Sequence, residues 1–394
     1  MVLHLPNQKT TMQEVGIIGC GTMGSGIAQV AAQCGHAVIV IDTNEIALEK
    51  AANQLQSTMN KLVEKAKLTP ESAQQIVQRI QWQSDLNKLA TCDLVIEAIV
   101  ENLDVKKDVF HRLETICKPS TILASNTSSL SITSIAAACQ QAHRVIGIHF
   151  FNPAPLMELV EIIPALQTSP DTLQQAKALI DSWKKKTVLV RDTPGFIVNR
   201  IARPFYSEAL RIHEEGTAIE LIDAAMRQVG FRMGPFELMD LIGHDVNYAV
   251  TETVWKSFYF DPRYTPSFVQ KRLVEAGWLG RKSGRGFYAY PQASPLEPVP
   301  GNEAQLDRIS QRILFTLFNE AAHALFMGIA SKEDIDLAMT KGVNYPKGLL
   351  QWADEFGIDA CVNGIDALYH KYHEPRYRCC PLLRDMAQTK QTFY

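Results

Sequence analysis

The sequence predicts an α/β domain built on a parallel sheet, followed by two tandem all-α domains, in a chain of 394 residues. Up to Asp192, apolar runs typical of strands alternate with helical patterns, and only helical patterns follow. The pattern of residues 200–245 recurs at residues 312–359. We therefore expect an α/β domain at residues 12–192 and helical domains at residues 193–291 and 300–394.

A glycine-rich turn follows the first predicted strand. Residues 14–18 form a strand-like apolar run, Gly-Cys-Gly-Thr-Met-Gly follows at 19–24, and a helical pattern continues. In this context Gly19 allows a tight turn, Gly21 lets the backbone approach a pyrophosphate, and Gly24 permits close packing of helix on strand. The helix N-terminus then faces the anion. The turn, including Thr22 and Met23, predicts a Rossmann-type dinucleotide site.

An acidic residue stands at the end of the second predicted strand. Residues 37–41 are apolar, and Asp42 follows them, about twenty residues beyond the glycines. A carboxylate at this place can bond the ribose hydroxyls and would repel a 2′-phosphate. Asp42 therefore predicts NAD rather than NADP.

A histidine and a glutamate are placed at the ends of two apolar runs. His149 ends the run 144–149, and Glu161 closes the run 156–160 after a turn that contains two prolines. A carboxylate held against one imidazole nitrogen fixes the tautomer, and the other nitrogen can then exchange a substrate proton. The alternative is structural, with a histidine that caps a strand and a glutamate at a strand end.

Two polar clusters follow buried strands. Glu-Ala-Ile-Val-Glu-Asn occupies 97–102, with Lys106 one helical turn further on, and Ser-Asn-Thr-Ser-Ser occupies 125–129. Both clusters are expected at the carboxyl ends of parallel strands, where ligands bind in open α/β sheets. Ser128 and Ser129 either contact a substrate or cap a helix around residues 132–138, and both interpretations stay open.

With these motifs the chain resembles the L-3-hydroxyacyl-CoA dehydrogenase family, also called 3-hydroxybutyryl-CoA dehydrogenases, from about Val15 to about Tyr290. Asp-Thr-Pro-Gly-Phe-Ile-Val-Asn-Arg at 192–200 and Gly-Arg-Lys-Ser-Gly-Arg-Gly-Phe-Tyr at 280–288 belong to the same resemblance. It implies helical domains like those of 6-phosphogluconate dehydrogenase. The implied reaction is the reversible NAD-dependent oxidation of an L-3-hydroxyacyl-CoA to a 3-oxoacyl-CoA, as in fatty-acid β-oxidation.

The resemblance also implies a role for each matching position. His149 would be the general acid/base and Glu161 would orient and tune it. Ser128 and Asn199 would bond the reacting oxygen at C3 or the thioester region, and no metal is required. The implied NAD contacts beyond the glycine turn and Asp42 are Ala98, Glu101, Lys106, Ser128 and Lys282. Read without the family, Asn199 is an ordinary polar helix residue.

A helical insertion at about residues 44–80 separates the second and third predicted strands. One helical pattern runs from 46 to 67, and a second opens at Pro70, which suits the first position of a helix. The resemblance implies that this pair contacts coenzyme A, with Lys65 as the best candidate for its phosphates and Thr58 as a weaker one. The alternative is that the lysines at 61, 65 and 67 form a solvated face.

The second helical copy carries none of the predicted chemistry. Gln311 stands where Asn199 stands in the first copy, and no second His/Glu pair or glycine-rich turn precedes it. We therefore expect a structural copy that covers the apolar surface which two-domain relatives bury by dimerising. This predicts a monomer with an internal pseudo-dimer, or a homodimer, with a proline-rich linker at 291–301 between the copies.

The composition is typical of an intracellular enzyme. A net charge of −3 offers no general attraction for nucleic acid or an anionic membrane, and the eight cysteines show no CxxC or metal spacing. Residues 1–12 lack the apolar stretch of a signal peptide, which favours the cytoplasm, and Met12 is an alternative start. Two other functions stay open: a dehydrogenase of a free hydroxy or sugar acid, and a non-catalytic NAD-binding protein.

Overall fold

The computed structural model describes residues 14–290 and 302–394. The linker expected at 291–301 and the alternative start Met12 lie outside the described residues. The chain divides into two compact units after Thr187, close to the boundary that the change of pattern at Asp192 predicts. The first unit is α/β and the second is helical.

The first unit alternates strands and helices in the predicted manner. Its strands are β1 (Glu14–Ile18), β2 (Ala37–Ile41), β3 (Ile80–Gln83), β4 (Leu94–Glu97), β5 (Ile122–Ser125), β6 (Val145–Phe150), β7 (Leu159–Pro164) and β8 (Lys186–Leu189). Its helices are α1 (Thr22–Gln33), α2 (Glu45–Glu64), α3 (Pro70–Gln78), α4 (Leu103–Ile116), α5 (Ile132–Ala136) and α6 (Pro170–Ser182).

The strands form one sheet in the order β3-β2-β1-β4-β5-β6-β7-β8. Neighbours from β3 to β6 are parallel, and β6 pairs with β7 in the antiparallel sense. In the parallel register Ile18 lies beside Glu97, and Glu97 lies beside Ser125. Because parallel strands end at one edge, the glycine-rich turn and both polar clusters come together there. The Rossmann-type sheet predicted from the sequence is confirmed.

Local signals explain where most elements begin. The inner strands are rich in Val and Ile and are buried on both faces, as parallel strands covered by helices should be. Asn44 caps α2 by accepting a hydrogen bond from the Ala47 amide, and Pro70 opens α3 behind the capping residue Thr69. The predicted helical pair of the insertion is therefore present, as α2 and α3.

Two expected boundaries are wrong, and one open alternative is removed. Glu161 does not close an apolar run; it lies inside β7, while Leu156 is exposed in the turn before that strand. The first insertion helix ends at Glu64, so Lys65 is its C-cap residue and Lys67 lies beyond it. Neither Ser128 nor Ser129 caps α5, because Ser131 is the N-cap residue and accepts from the Ser134 amide. The capping alternative for those two serines is thereby removed.

The regular secondary structure of the second unit is helical in its described residues, apart from the end of β8 and isolated bridges near residue 285. Its helices are α7 (Val198–Ile201), α8 (Arg203–Glu214), α9 (Ile219–Gln228), α10 (Pro235–Ile242), α11 (His244–Ser257), α12 (Phe268–Glu275), α13 (Glu303–Phe326), α14 (Lys332–Gly342), α15 (Leu349–Phe356), α16 (Ile358–Tyr372) and α17 (Pro381–Thr389).

The internal repeat makes corresponding bonds in its two copies. One buried aspartate of each copy accepts two amide hydrogen bonds from the start of a later helix. In the first copy Asp223 accepts from Phe236 and Glu237, and in the second Asp336 accepts from Leu350 and Gln351. A second aspartate of each copy, Asp240 or Asp354, accepts from two consecutive amides near the end of that copy. The recurrence in sequence therefore reflects recurrence in structure.

The two copies also exchange contacts reciprocally. Arg200 of the first copy donates to Glu320 of the second at 2.7 Å, and Arg312 of the second donates to Glu208 of the first at 2.6 Å. Two hydroxyls bond the same carboxylates, that of Tyr264 to Glu320 and that of Tyr377 to Glu208. Matching residues that contact each other across an interface are what a twofold relation produces. Helices α8 and α13, which carry the two carboxylates, pack together.

Among the described residues, none of the helices combines the length and the apolar character that a membrane span requires.

Candidate active site

The glycine-rich turn has no room for side chains at two of its three glycines. Gly19 has a φ of +96°, and a Cβ there would lie 2.6 Å from the Ala98 carbonyl oxygen. A Cβ on Gly24 would lie 1.8 Å from the Gly19 carbonyl oxygen. Both positions therefore require glycine, the first for the turn and the second because α1 packs directly against it.

The third glycine faces open space. A Cβ built on Gly21 meets no atom within 4 Å, although the turn around it is tightly packed. Gly21 is also the N-cap residue of α1, so no side chain caps this helix, and its first turn holds no acidic residue. The uncapped amides at Thr22 and Met23 suit an anion that approaches along the backbone. These features fit the pyrophosphate of a dinucleotide.

Asp42 is held in place beside this turn. Its carboxylate accepts hydrogen bonds from the backbone amides of Cys20 and Asn44, each at 3.0 Å. Burial raises the pKa of the Asp42 carboxyl, but the bonds from the Cys20 and Asn44 amides outweigh this effect and leave the pKa below its usual value. Asp42 is therefore an anion at neutral pH, in the position where a ribose is expected.

His149 and Glu161 form a buried pair. They lie directly opposite each other in the antiparallel register of β6 and β7. The His149 Nδ1 and Glu161 Oε2 atoms are 2.7 Å apart, and 6% of His149 and none of Glu161 is exposed. Because Nδ1 is turned to the carboxylate, a ring held in this way exchanges a substrate proton through Nε2. The pairing that the sequence predicts is present, although it arises from strand register and not from two strand ends.

The connection between these two strands is anchored by residues that sequence reasoning missed. The buried Lys185 ammonium donates to the carbonyl oxygens of Ala154 and Met157, at 2.6 and 2.7 Å. Asn126 accepts from the amide of Phe150, the residue after His149. No local pattern marks Lys185, because it stands in a run of three lysines that is typical of a solvated turn.

Glu101 gathers the serine-rich loop that follows β5. Its Oε1 accepts from the Thr127 hydroxyl at 2.5 Å, from the Ser128 amide at 3.1 Å and from the Ser129 hydroxyl at 3.1 Å. Burial raises the pKa of the Glu101 carboxyl, but the Lys106 ammonium and these hydrogen bonds outweigh it, so the pKa lies below its usual value. Glu101 and Ser128, predicted from separate motifs, are thus neighbours.

The remaining predicted residues are distributed over both units. Ala98 borders the Gly19 turn, and Lys106 is buried with its ammonium between the carboxylates of Glu97 and Glu101. Thr58 lies on α2, where its hydroxyl donates to the Gln54 carbonyl, and Lys65 is exposed at the end of that helix. Asn199 and Lys282 belong to the second unit.

Within the second unit these two residues have definite partners. The backbone carbonyl oxygen of Asn199, on α7, accepts a hydrogen bond from the Arg203 guanidinium at 2.9 Å. The Lys282 ammonium lies 2.5 Å from the Asp245 carboxylate, and both side chains are exposed. The described part of the chain contains no group of three His, Cys, Asp or Glu side chains arranged to hold a metal ion.

Family models match nearly all of the described chain. The NAD binding domain of 3-hydroxyacyl-CoA dehydrogenase matches residues 14–193. The C-terminal domain of the same family matches twice, at residues 195–290 and again at 309–392. The two matches coincide with the two copies of the repeat.

Individual relatives agree with these models. A 3-hydroxyadipyl-CoA dehydrogenase of Escherichia coli is 39% identical, over 95% of this chain and 98% of the relative. The crystal structure of a 3-hydroxybutyryl-CoA dehydrogenase from Escherichia coli K12 superposes with a TM-score of 0.91 at 38% identity, covering 96% of this chain and 98% of that one.

Shorter relatives match about 70% of this chain. The structure of a (S)-3-hydroxybutyryl-CoA dehydrogenase from Ralstonia eutropha is 41% identical with a TM-score of 0.69, and its match covers 72% of this chain but 100% of the relative. Full-length and shorter relatives thus share the NAD-binding unit and a helical domain of one kind with this protein. The chain belongs to the 3-hydroxyacyl-CoA dehydrogenase family.

Proposed function

We propose that this protein catalyses the reversible, NAD-dependent oxidation of an L-3-hydroxyacyl-CoA to a 3-oxoacyl-CoA. The observation that carries the proposal is the buried His149–Glu161 pair, held at 2.7 Å within the NAD-binding unit. A non-catalytic NAD-binding protein has no need of a buried acid/base pair. The open Gly21 face and the ionised Asp42 supply the features that bind the dinucleotide.

The residues divide the chemistry among them. NAD, held by the glycine-rich turn and Asp42, would supply the acceptor for the hydride that leaves C3 of the substrate. His149 takes the proton of the C3 hydroxyl in the oxidation and returns it to the carbonyl oxygen in the reduction. Glu161 keeps the ring in the tautomer that presents Nε2 and stabilises the imidazolium once the proton has moved.

Other predicted contacts complete the proposal. Ser128 and Asn199 would hydrogen-bond the reacting oxygen or the thioester region, and orientation of this kind lowers the barrier substantially. Glu101, Lys106 and Lys282 would contact the NAD. Lys65, exposed at the end of α2, and Thr58 would meet the coenzyme A phosphates and the neighbouring groups.

The acyl group has two candidates. The first candidate is the short-chain thioester 3-hydroxybutyryl-CoA. Relatives named for this substrate include shorter proteins and a full-length crystal structure. A 3-hydroxyadipyl-CoA, which carries a terminal carboxylate, is the second. It is a candidate because a relative that is named for this substrate matches 95% of this chain, at 39% identity.

Steady-state kinetics test the proposal and separate the candidates. Acetoacetyl-CoA, 3-oxoadipyl-CoA, longer 3-oxoacyl-CoA thioesters and free acetoacetate are each compared as substrates with NADH. We expect at least one thioester to exceed free acetoacetate in kcat/KM by orders of magnitude, because the coenzyme A part contributes binding energy. A preference for the free acid would indicate a free hydroxy acid dehydrogenase, and no turnover with any of them would contradict an enzymatic role.

The first prediction concerns the partner of the catalytic histidine. Glu161→Gln should lower kcat about tenfold or more, because the amide cannot stabilise the imidazolium as the anion does. Initial rates with a saturating thioester and NADH measure the effect. Glu158→Gln, which alters an exposed carboxylate three residues earlier, is the matched control and should keep the full rate. Equal rates for the two variants would exclude the proposed role of Glu161.

The second prediction concerns cofactor choice. The unmodified enzyme should prefer NADH to NADPH, because the ionised Asp42 repels a 2′-phosphate. Asp42→Ala should lower kcat/KM for NADH and raise kcat/KM for NADPH, so that the ratio of the two values becomes smaller. Comparable kcat/KM values for the two cofactors in the unmodified enzyme would refute this interpretation of Asp42.

A further inference from the structure

Glu97, the last residue of β4, is a fully buried carboxylate to which neither the sequence motifs nor the proposed reaction assigns a role. It accepts hydrogen bonds from the Lys106 ammonium at 2.5 Å, the Ser125 hydroxyl at 2.7 Å and the Ile99 amide at 2.7 Å. Burying a carboxylate is costly unless it is paired and hydrogen-bonded, and here both conditions are met. The arrangement uses a charge where an apolar residue would suffice for packing alone.

The ammonium of Lys106 connects Glu97 to a second carboxylate. Its Nζ lies 2.5 Å from Glu97 and 3.4 Å from Glu101, and the lysine side chain is 1% exposed. The three groups carry a net charge of −1 when ionised. Because Lys106 lies between the two acids, the position of the Glu101 carboxylate depends on the position of Glu97.

The loop after β5 takes its shape from these groups. The amides of four successive residues donate to side-chain oxygens: Thr127 to Ser125, Ser128 to Glu101, and both Ser129 and Leu130 to the Thr127 hydroxyl. The Ser125 hydroxyl donates to Glu97, and the Thr127 hydroxyl donates to Glu101. Each of these bonds thus leads back, directly or through a hydroxyl, to one of the two carboxylates.

We propose that Glu97 is a positioning residue, which acts through Lys106 and Ser125 to fix the loop that carries Ser128. The inference rests on the proposed function, in which Ser128 contacts the reacting substrate. Glu97 itself is proposed to touch neither substrate nor cofactor. Its role is to keep the loop in one conformation before the substrate arrives, so that none of the binding energy is spent on ordering it.

Glu97→Gln is the first test. The amide keeps the shape of the side chain but presents one acceptor oxygen where the carboxylate serves three donors on two oxygens. Hydrogen exchange should become faster at the amides of residues 127–130 and remain unchanged in the rest of β4 and β5. The value of kcat with the best thioester should fall about tenfold or more, since small displacements of a substrate-positioning group are costly.

A double-mutant cycle distinguishes positioning from general support of the fold. Ser128→Ala should cost a smaller factor in kcat in the Glu97→Gln background than alone, because the serine is already displaced there. If the two losses multiply independently, Glu97 does not act through Ser128 and the proposal is overturned. Unchanged exchange at residues 127–130 would overturn it as well.

Two further variants serve as a control and as a substitute if Glu97→Gln does not fold. Asp93→Asn breaks the ion pair between Asp93 and Lys118 at the opposite end of the same strand and should leave both kcat and the loop exchange unchanged. If kcat falls by the same factor in this control, any weakening of β4 lowers the rate, and the proposal is contradicted. If Glu97→Gln does not fold, Glu97→Gln with Lys106→Met removes both charges together, and faster loop exchange is again expected.

The exchange measurement does not depend on the reaction. A protein that turns over no thioester but shows faster loop exchange in Glu97→Gln would disprove the proposed function and leave the anchoring of the loop intact. If the protein is active but its loop amides exchange equally slowly with and without Glu97→Gln, the proposed function stands and the anchoring role of Glu97 is disproved.

Discussion

Replacing His149 with glutamine is expected to lower kcat about a hundredfold or more, while the dissociation constant for NADH stays nearly unchanged. A positioned proton-transfer group contributes a factor of this size, and glutamine cannot take up the hydroxyl proton. The NADH affinity should persist because the glycine-rich turn and Asp42 follow other strands of the same sheet, β1 and β2. Single-turnover rates and a fluorescence titration with NADH measure the two quantities separately.

The control for this experiment is His143→Gln, which changes an exposed histidine that precedes the same strand. It should keep both the rate and the NADH affinity. If His149→Gln loses NADH affinity by the same factor as it loses rate, the histidine supports the structure of the site and is not its acid/base.

Deletion of the chain from residue 300 onward is expected to give a protein that associates or aggregates and melts at a lower temperature. In the full chain the aromatic rings of Phe205 and Phe231, both buried, pack against Tyr345 of the second copy, and Phe231 also packs against Trp352. Removing the second copy exposes this face to water. Exposed apolar patches of this kind drive association.

Sedimentation velocity and thermal melting of the shortened protein test this expectation. Asp359→Asn in the full chain is the control, because it breaks only an exposed ion pair with Lys390, and such pairs contribute about 1 kcal/mol or less. A shortened protein that stays soluble, monomeric and as heat-stable as the full chain would show that the second copy is an accessory.

Features that depend on local sequence could be predicted well. Strands β1 and β2 begin and end where their apolar runs do, and α3 opens at Pro70 as the proline indicates. The glycine spacing likewise predicts which glycine must be free of neighbours and which must be packed. Each of these signals is contained within a few adjacent residues.

Features that depend on the register between strands could not be predicted from local sequence. That Glu161 faces His149 follows from the pairing of β6 with β7, and a shift of one residue would have turned the glutamate to the other face. The sequence contains both residues but not their alignment, which is why Glu161 was expected at a strand end. Motif resemblance supplied the pairing that periodicity could not.

Buried charges were the least predictable feature of the site. Lys185 and Glu97 look like ordinary surface residues in the sequence, since lysine and glutamate are rarely buried. Their partners include groups distant in the chain, the carbonyl oxygens of residues 154 and 157 for Lys185 and the Ser125 hydroxyl for Glu97. Only the folded structure brings such partners together.

The reciprocal contacts between the two helical copies lie within a single chain, and this changes how the protein responds to dilution. An interface between separate molecules is lost when their concentration falls below the dissociation constant. Here the two helical copies are part of one covalent chain. The local concentration of one copy around the other is therefore set by the chain and not by the solution. The contacts between the two copies are therefore independent of how much of the protein a cell makes.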